Sequence, residues 1–183
     1  FQGLLFLCAR RRYWVWPLAC GSLTLVAVCG PMQVAGAQGT AATSCAPTPV
    51  DALTPYFPAG RTSAVIIVLS PRMPYALQRW PAMEAGAREL GFRVHALRDP
   101  RVGLAEWQAA VDAQGLSALR CIPALDLALA RELGVLHHAP SSLVLRCGRV
   151  HPWPVLGVMP DEAWTELLRE RRAWLEEHAC HRG

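Results

Sequence analysis

The chain has 183 residues, enough for one domain plus a leader. With 52% hydrophobic and 17% charged residues it can bury a real core, which excludes a globally disordered chain. All 18 cationic residues are arginine; without Arg10, Arg11 and Arg12 the net charge falls from +4 to +1, and nucleic acid loses its electrostatic case as a partner.

Arg10-Arg11-Arg12 are followed by an apolar stretch over 13–30 and then by Ala35-Gly36-Ala37. A basic start, an apolar run and a small-residue site make a secretory signal, with cleavage expected after Ala37. The run is also about long enough to span a bilayer, so an uncleaved anchor is the rival reading of 1–37. Either way the body is expected to be exported: periplasmic, or anchored in the inner membrane and facing the periplasm. Membrane contact is expected only through this N-terminal segment, and only if it stays uncleaved. Residues 38–62, with Pro47, Pro49, Pro55, Pro58 and Gly60 and no hydrophobic period, read as a Pro/Ala/Thr-rich linker or an extended arm.

Residues 64–69, Ala-Val-Ile-Ile-Val-Leu, form a continuous apolar run of the kind a buried central strand shows. The loop 70–75 follows, and then Ala76, Trp80, Met83, Ala87 and Leu90 recur at helical spacing. Gly91 should cap that helix, and Pro81 should kink it. Residues 92–97 alternate as a second strand, parallel to the first by default. A second helix is expected over 104–113, with Leu104, Trp107 and Val111 inward. Residues 116–122 are ambiguous between loop and short strand. Pro123 suits the first turn of a third helix ending near Leu133, with Gly134 as its cap.

A third strand is expected over 142–147, and Gly148 then turns the chain into 149–155. Pro152 and Pro154 restrict that last strand to a sheet edge, since neither can donate to a ladder. Pro160-Asp161-Glu162 opens a final helix with acids near its positive end. Trp164, Leu167, Leu168 and Leu175 form its inward stripe, and most of 169–172 (Arg-Glu-Arg-Arg) should face water.

This order resembles the thioredoxin/glutaredoxin superfamily over about 63–175. Three local matches carry the resemblance. Glu132-Leu133-Gly134-Val135 followed by Ala139-Pro140-Ser141 resembles the family's helix end and cis-proline loop. Cys147-Gly148-Arg149-Val150 is similar to the hairpin between its last two strands. Pro81 stands where the family kinks its first helix, five residues beyond the second active-site cysteine. The resemblance implies an α/β fold, a thioredoxin-like three-layer sandwich with a mixed four-stranded sheet flanked by helices. It places that domain at 63–178 with a tail at 179–183. Residues 100–122 fit it least, so extra structure is expected there.

Counting back from Pro81 sets Met73-Pro74-Tyr75-Ala76 on the redox tetrapeptide, whose glutaredoxin form is Cys-Pro-Tyr-Cys. Thiol–disulfide exchange needs a thiolate, and usually a second thiol to resolve the mixed disulfide. A methionine thioether and an alanine methyl supply neither, so no catalytic residue is assigned at this site and no cofactor is implied. What the resemblance leaves is a peptide- or partner-binding face made of Pro71, Arg72, Met73, Pro74, Tyr75, His138, Ala139 and Pro140.

Cleavage after Ala37 would leave Cys45, Cys121, Cys147 and Cys180, an even number with three possible pairings. Cys147 should lie at the end of the sheet away from Pro140. Cys121 is the one candidate for a displaced redox role, with Cys45 or Cys180 as its partner. His137 and His138 point in opposite directions if extended, and neither they nor His95 and His151 show metal-ligand spacing. Trp80, Trp107 and Trp164 fit core positions, whereas Trp153, between two prolines, reads as a guarded edge or a docking surface. The leading expectation is an exported, redox-inactive binding or assembly module of the bacterial cell envelope, taking an envelope protein or extended peptide. The overall pattern also resembles envelope proteins encoded on integrating conjugative elements, which would imply a conjugative transfer apparatus as its setting. The competing expectation is an envelope thiol–disulfide oxidoreductase using Cys121.

Overall fold

The computed structural model describes Cys45 and residues 49–180, so the signal or anchor reading of 1–37 falls outside the described residues. Among them, no helix is long and apolar enough to cross a membrane.

The run at 64–69 becomes β1 (Ser63–Leu69), whose six apolar side chains are each at most 2% exposed. Burying one Val, Leu or Ile side chain is worth about 1.5–3 kcal/mol, so this strand is the thermodynamic centre of the domain. It pairs in parallel with β2 (Phe92–Arg98) and antiparallel with β3 (Ser141–Arg146). The two-residue alternation of a strand splits its side chains between two cores. Val65, Ile67 and Leu69 face one cluster with Trp80, Trp107, Trp164 and Leu168. Ala64, Ile66 and Val68 face the other, with Leu125, Ala130, Leu143 and Leu145.

The edge beyond β3 is held by two short pieces, β4 (Arg149–Val150) and β5 (Val155–Leu156), each paired only with β3. The expected fourth strand is therefore split. His151 still donates its N–H to Val144 at 2.8 Å, and the ladder lapses where Pro152 and Pro154 have no N–H to give.

Among the described residues four α-helices complete the layers: α1 (Pro74–Glu89), α2 (Leu104–Ala113), α3 (Leu127–Glu132) and α4 (Asp161–Ala179). Buried residues of α1, α2 and α4 belong to the first cluster, and α3 gives Ala130 to the second. α1 runs through Pro81 and is closed just past its end by Gly91, which has a positive φ of 79° and donates its N–H to the Arg88 carbonyl at 2.9 Å. α4 opens at Asp161 as expected. Its arginines depart from expectation: Arg172 donates to the Leu90 carbonyl at 2.7 Å and lies over the Phe92 ring, while Arg171 lies over Trp153. Their apolar stems cover aromatic surface that would otherwise be wet.

The third helix begins four residues later than Pro123. Pro123 and Ala124 are extended instead, running parallel to the end of β2 with Arg98 N–H on Pro123 O at 2.9 Å. Asp126 is the true cap, its carboxylate accepting from the N–H groups of Ala128 and Leu129 at 2.8 and 3.0 Å. Between α2 and this segment sits a 3-10 turn, Ser117–Leu119, neither the loop nor the strand the sequence suggested. The stretch read as a linker or extended arm lies along the domain where it is described. Val50 bridges to Leu125, and Leu53 and Pro58 are buried. Tyr56 packs edge-on against His95 at 5.1 Å.

Candidate functional site

β1 ends at Leu69, and buried Ser70 opens the turn to α1, with the Met73 N–H on the Ser70 carbonyl at 3.2 Å. Pro74 is suited to the first helical position because its missing N–H would find no partner there. Position 73 is open, with Met73 45% exposed, whereas Ala76 is fully buried. Across from this turn the chain enters β3 through a cis Ala139–Pro140 bond. The Ser141 hydroxyl donates to the carbonyls of Val135 and His138, and the Pro140 carbonyl accepts from Gly157 at 2.8 Å. The proline loop is thus held from both flanks.

A β-α-β start, an antiparallel β3, a proline inside α1 and a cis-proline before β3 occur here in one order. The fold is thioredoxin-like.

No protein-family model matches the chain, and no curated protein matches it in sequence. Solved structures similar to it in backbone include the following three. StoA from Bacillus subtilis aligns at 15% identity over 60% of this chain and 84% of its own, with a TM-score of 0.44. A thiol:disulfide interchange protein of the thioredoxin family from Chlorobium tepidum TLS aligns at 13% identity over 61% and 80%, with a TM-score of 0.45. The N-terminal domain of PilB from Neisseria gonorrhoeae aligns at 16% identity over 59% and 76%, with a TM-score of 0.46.

The thioredoxin-like site contains a cleft of about 240 Å³ lined by Ser70, Arg72, Met73, Arg101, Leu136, His137, His138 and Ala139. Of the residues expected from the sequence, it brings together Arg72, Met73, His138 and Ala139. Pro71, Pro74 and Tyr75 do not line it; Tyr75 stands 66% exposed on the first turn of α1, and Pro140 is buried beneath the loop.

Two arginines shape the electrostatics. Arg72 donates through Nε and Nη2 to the Glu106 carboxylate at 3.2 and 3.3 Å, and Nη2 also reaches the Arg101 carbonyl at 3.0 Å. That pairing raises the Arg72 pKa above its ordinary value. Arg101 donates through Nε and Nη2 to Asp99 at 2.9 and 2.7 Å, and its backbone N–H adds a third bond at 3.0 Å. Burial pushes the Asp99 carboxyl up, but the Arg101 hydrogen bonds and charge, with help from Ser70, take it below its usual value.

Sequence reasoning missed Asp99, Arg101 and Glu106 as parts of this site. An aspartate ending a strand and followed two residues later by an arginine was the available local signal; Glu106 is brought in by the fold alone.

Among the described residues the four cysteines form two pairs, Cys45–Cys121 and Cys147–Cys180. Cys180 is therefore not the partner of Cys121, because α4 delivers it to Cys147 just past β3. Cys147 does lie at the sheet end away from Pro140. Among the described residues no group of three or more His, Cys, Asp or Glu side chains is placed to hold a metal.

Proposed function

We propose that this chain is an exported, redox-inactive thioredoxin-like domain that works as a binding or assembly module in the bacterial cell envelope. One observation carries the reading: a cis-proline loop stands across from a tetrapeptide whose two thiol positions are Met73 and Ala76. A loop of this shape can pair its backbone with an extended peptide, and the side chains present cannot exchange disulfides. Exposed Met73 and Tyr75 add an adaptable apolar contact beside it. The leader at 1–37 supports the compartment, and the conjugative-element resemblance supports a transfer apparatus as the setting.

The test places a photo-crosslinking residue at position 75 of the exported protein in native envelopes. A discrete adduct, absent when the same residue sits at exposed Glu89 at the far end of α1, is expected. Identical adducts from the two positions would sink the assignment of this face.

The alternative, a thiol–disulfide oxidoreductase, now rests on the Cys45–Cys121 pair, which is favoured by the exposure of Cys121. Loss of insulin-reducing turnover in Cys121→Ser would establish it.

A further inference from the structure

We infer that the cleft beside the cis-proline selects extended peptides bearing a carboxylate, with Arg72, Arg101, His137 and His138 as its receptors. This rests on the binding-module reading and names the class of ligand. None of the eight residues lining the cleft is acidic, while two are arginines and two are histidines. The arginines keep 56% and 44% of their side chains exposed, and both histidines are exposed.

Their counter-ions do not line the cleft. Asp99 is 3% exposed at the end of β2, and Glu106 lies on α2. Each arginine spends Nε and Nη2 on its carboxylate, so the Nη1 group of each is left over among the hydrogen bonds of the described residues. A guanidinium has five N–H donors, and Nη1 carries two of them. A ligand carboxylate would find these donors without breaking either internal pair, and charge-assisted bonds of that kind are the stronger class.

Met73, Leu136 and Ala139 supply an apolar wall suited to the stem of a Glu or Asp side chain. The volume suits a side chain or two, not a folded domain. The buried Asp99 carboxylate holds Arg101 from behind.

The test selects phage-displayed random decapeptides on the folded, oxidised domain at low salt. An acidic residue is expected at one fixed place in the selected peptides. Synthetic copies of the best binder should lose about fivefold or more in affinity on Glu→Gln or Asp→Asn, and most of that margin should vanish in 0.5 M salt. Arg72→Gln and the double variant His137→Gln, His138→Gln should each shrink the same margin while thermal melts stay near wild type. Free-acid and amidated forms of the peptide distinguish a side-chain carboxylate from a chain terminus. Selected peptides that bind equally well with Gln would overturn the carboxylate and leave the peptide groove standing. No enrichment over bare support would overturn both.

Discussion

The indole Nε1 of Trp107 donates to the carbonyl of Leu119 at 2.8 Å, with the whole side chain out of solvent. That bond ties α2 to the 3-10 turn at Ser117–Leu119, so the extra segment after β2 is built around one tryptophan. Trp107→Phe should cost about 0.5–1.5 kcal/mol, because the buried Leu119 carbonyl loses its shorter donor and keeps the Ile122 N–H at 3.3 Å. Trp107→Ala should cost about 3–5 kcal/mol by adding a cavity. Urea midpoints of the two variants check both figures, and a Trp107→Phe midpoint equal to that of wild type would show that the hydrogen bond contributes nothing.

The disulfides should act on different parts of the chain. Cys45–Cys121 fastens the arm to the extra segment across 76 residues, and Cys147–Cys180 fastens the β3–β4 turn to α4 across 33. Loop closure of these sizes stabilises by roughly 4 kcal/mol each, slightly more for the longer one. Cys45→Ser with Cys121→Ser should open the arm to limited proteolysis before the sheet is cut. Cys147→Ser with Cys180→Ser should instead loosen the end of α4, read as faster amide exchange there.

Acid stability should depend on Asp99. Its folded pKa lies below the ordinary unfolded value of about 3.9, so the folded state holds this carboxylate charged where the unfolded chain has begun to protonate. The contribution is complete above the unfolded value and is lost as pH falls through the folded one. Asp99→Asn should therefore lower the urea midpoint at pH 7 and lose less than wild type between pH 4 and 2.

Two histidines should add a second, milder slope. Burial lowers the folded pKa of His95 and His151 below the usual value of about 6.5, with Arg93 adding to the effect at His95 and Arg171 at His151. The unfolded chain takes up these protons first, so stability is full above about pH 6.5 and declines as pH falls towards the folded values. His95→Gln combined with His151→Asn should flatten the melting temperature between pH 6.5 and 5.

Periodicity made much of this legible. The alternation in 92–97, the unbroken apolar run before Ser70 and the helical spacing from Ala76 to Leu90 each reported a pattern that the sheet and its helices then used. The proline loop before β3 was readable because Pro140 and Pro81 stand at fixed places around one tetrapeptide, whereas the cis state of the Ala139–Pro140 bond was not. What escaped was decided by contacts distant in sequence. Pro123 carried a local preference for a helix start, but pairing with Arg98 drew it into an extended bridge and left Asp126 to cap the helix. Arg171 and Arg172 resembled solvated charges until Trp153 and Phe92 came beneath them. Arg101 in the cleft wall and Glu106 behind it became site residues only because the end of β2 and α2 fold back beside the loop.

Insulin reduction, run on the exported domain beside Met73→Cys, Ala76→Cys, tests the central claim most directly. The account predicts no turnover above the uncatalysed rate for the natural chain, with all four cysteines of the domain unreactive to thiol reagents before reduction. It predicts measurable turnover once both thiols are restored to the loop. Turnover by the natural chain that disappears in Cys121→Ser would contradict it and would make the protein an oxidoreductase.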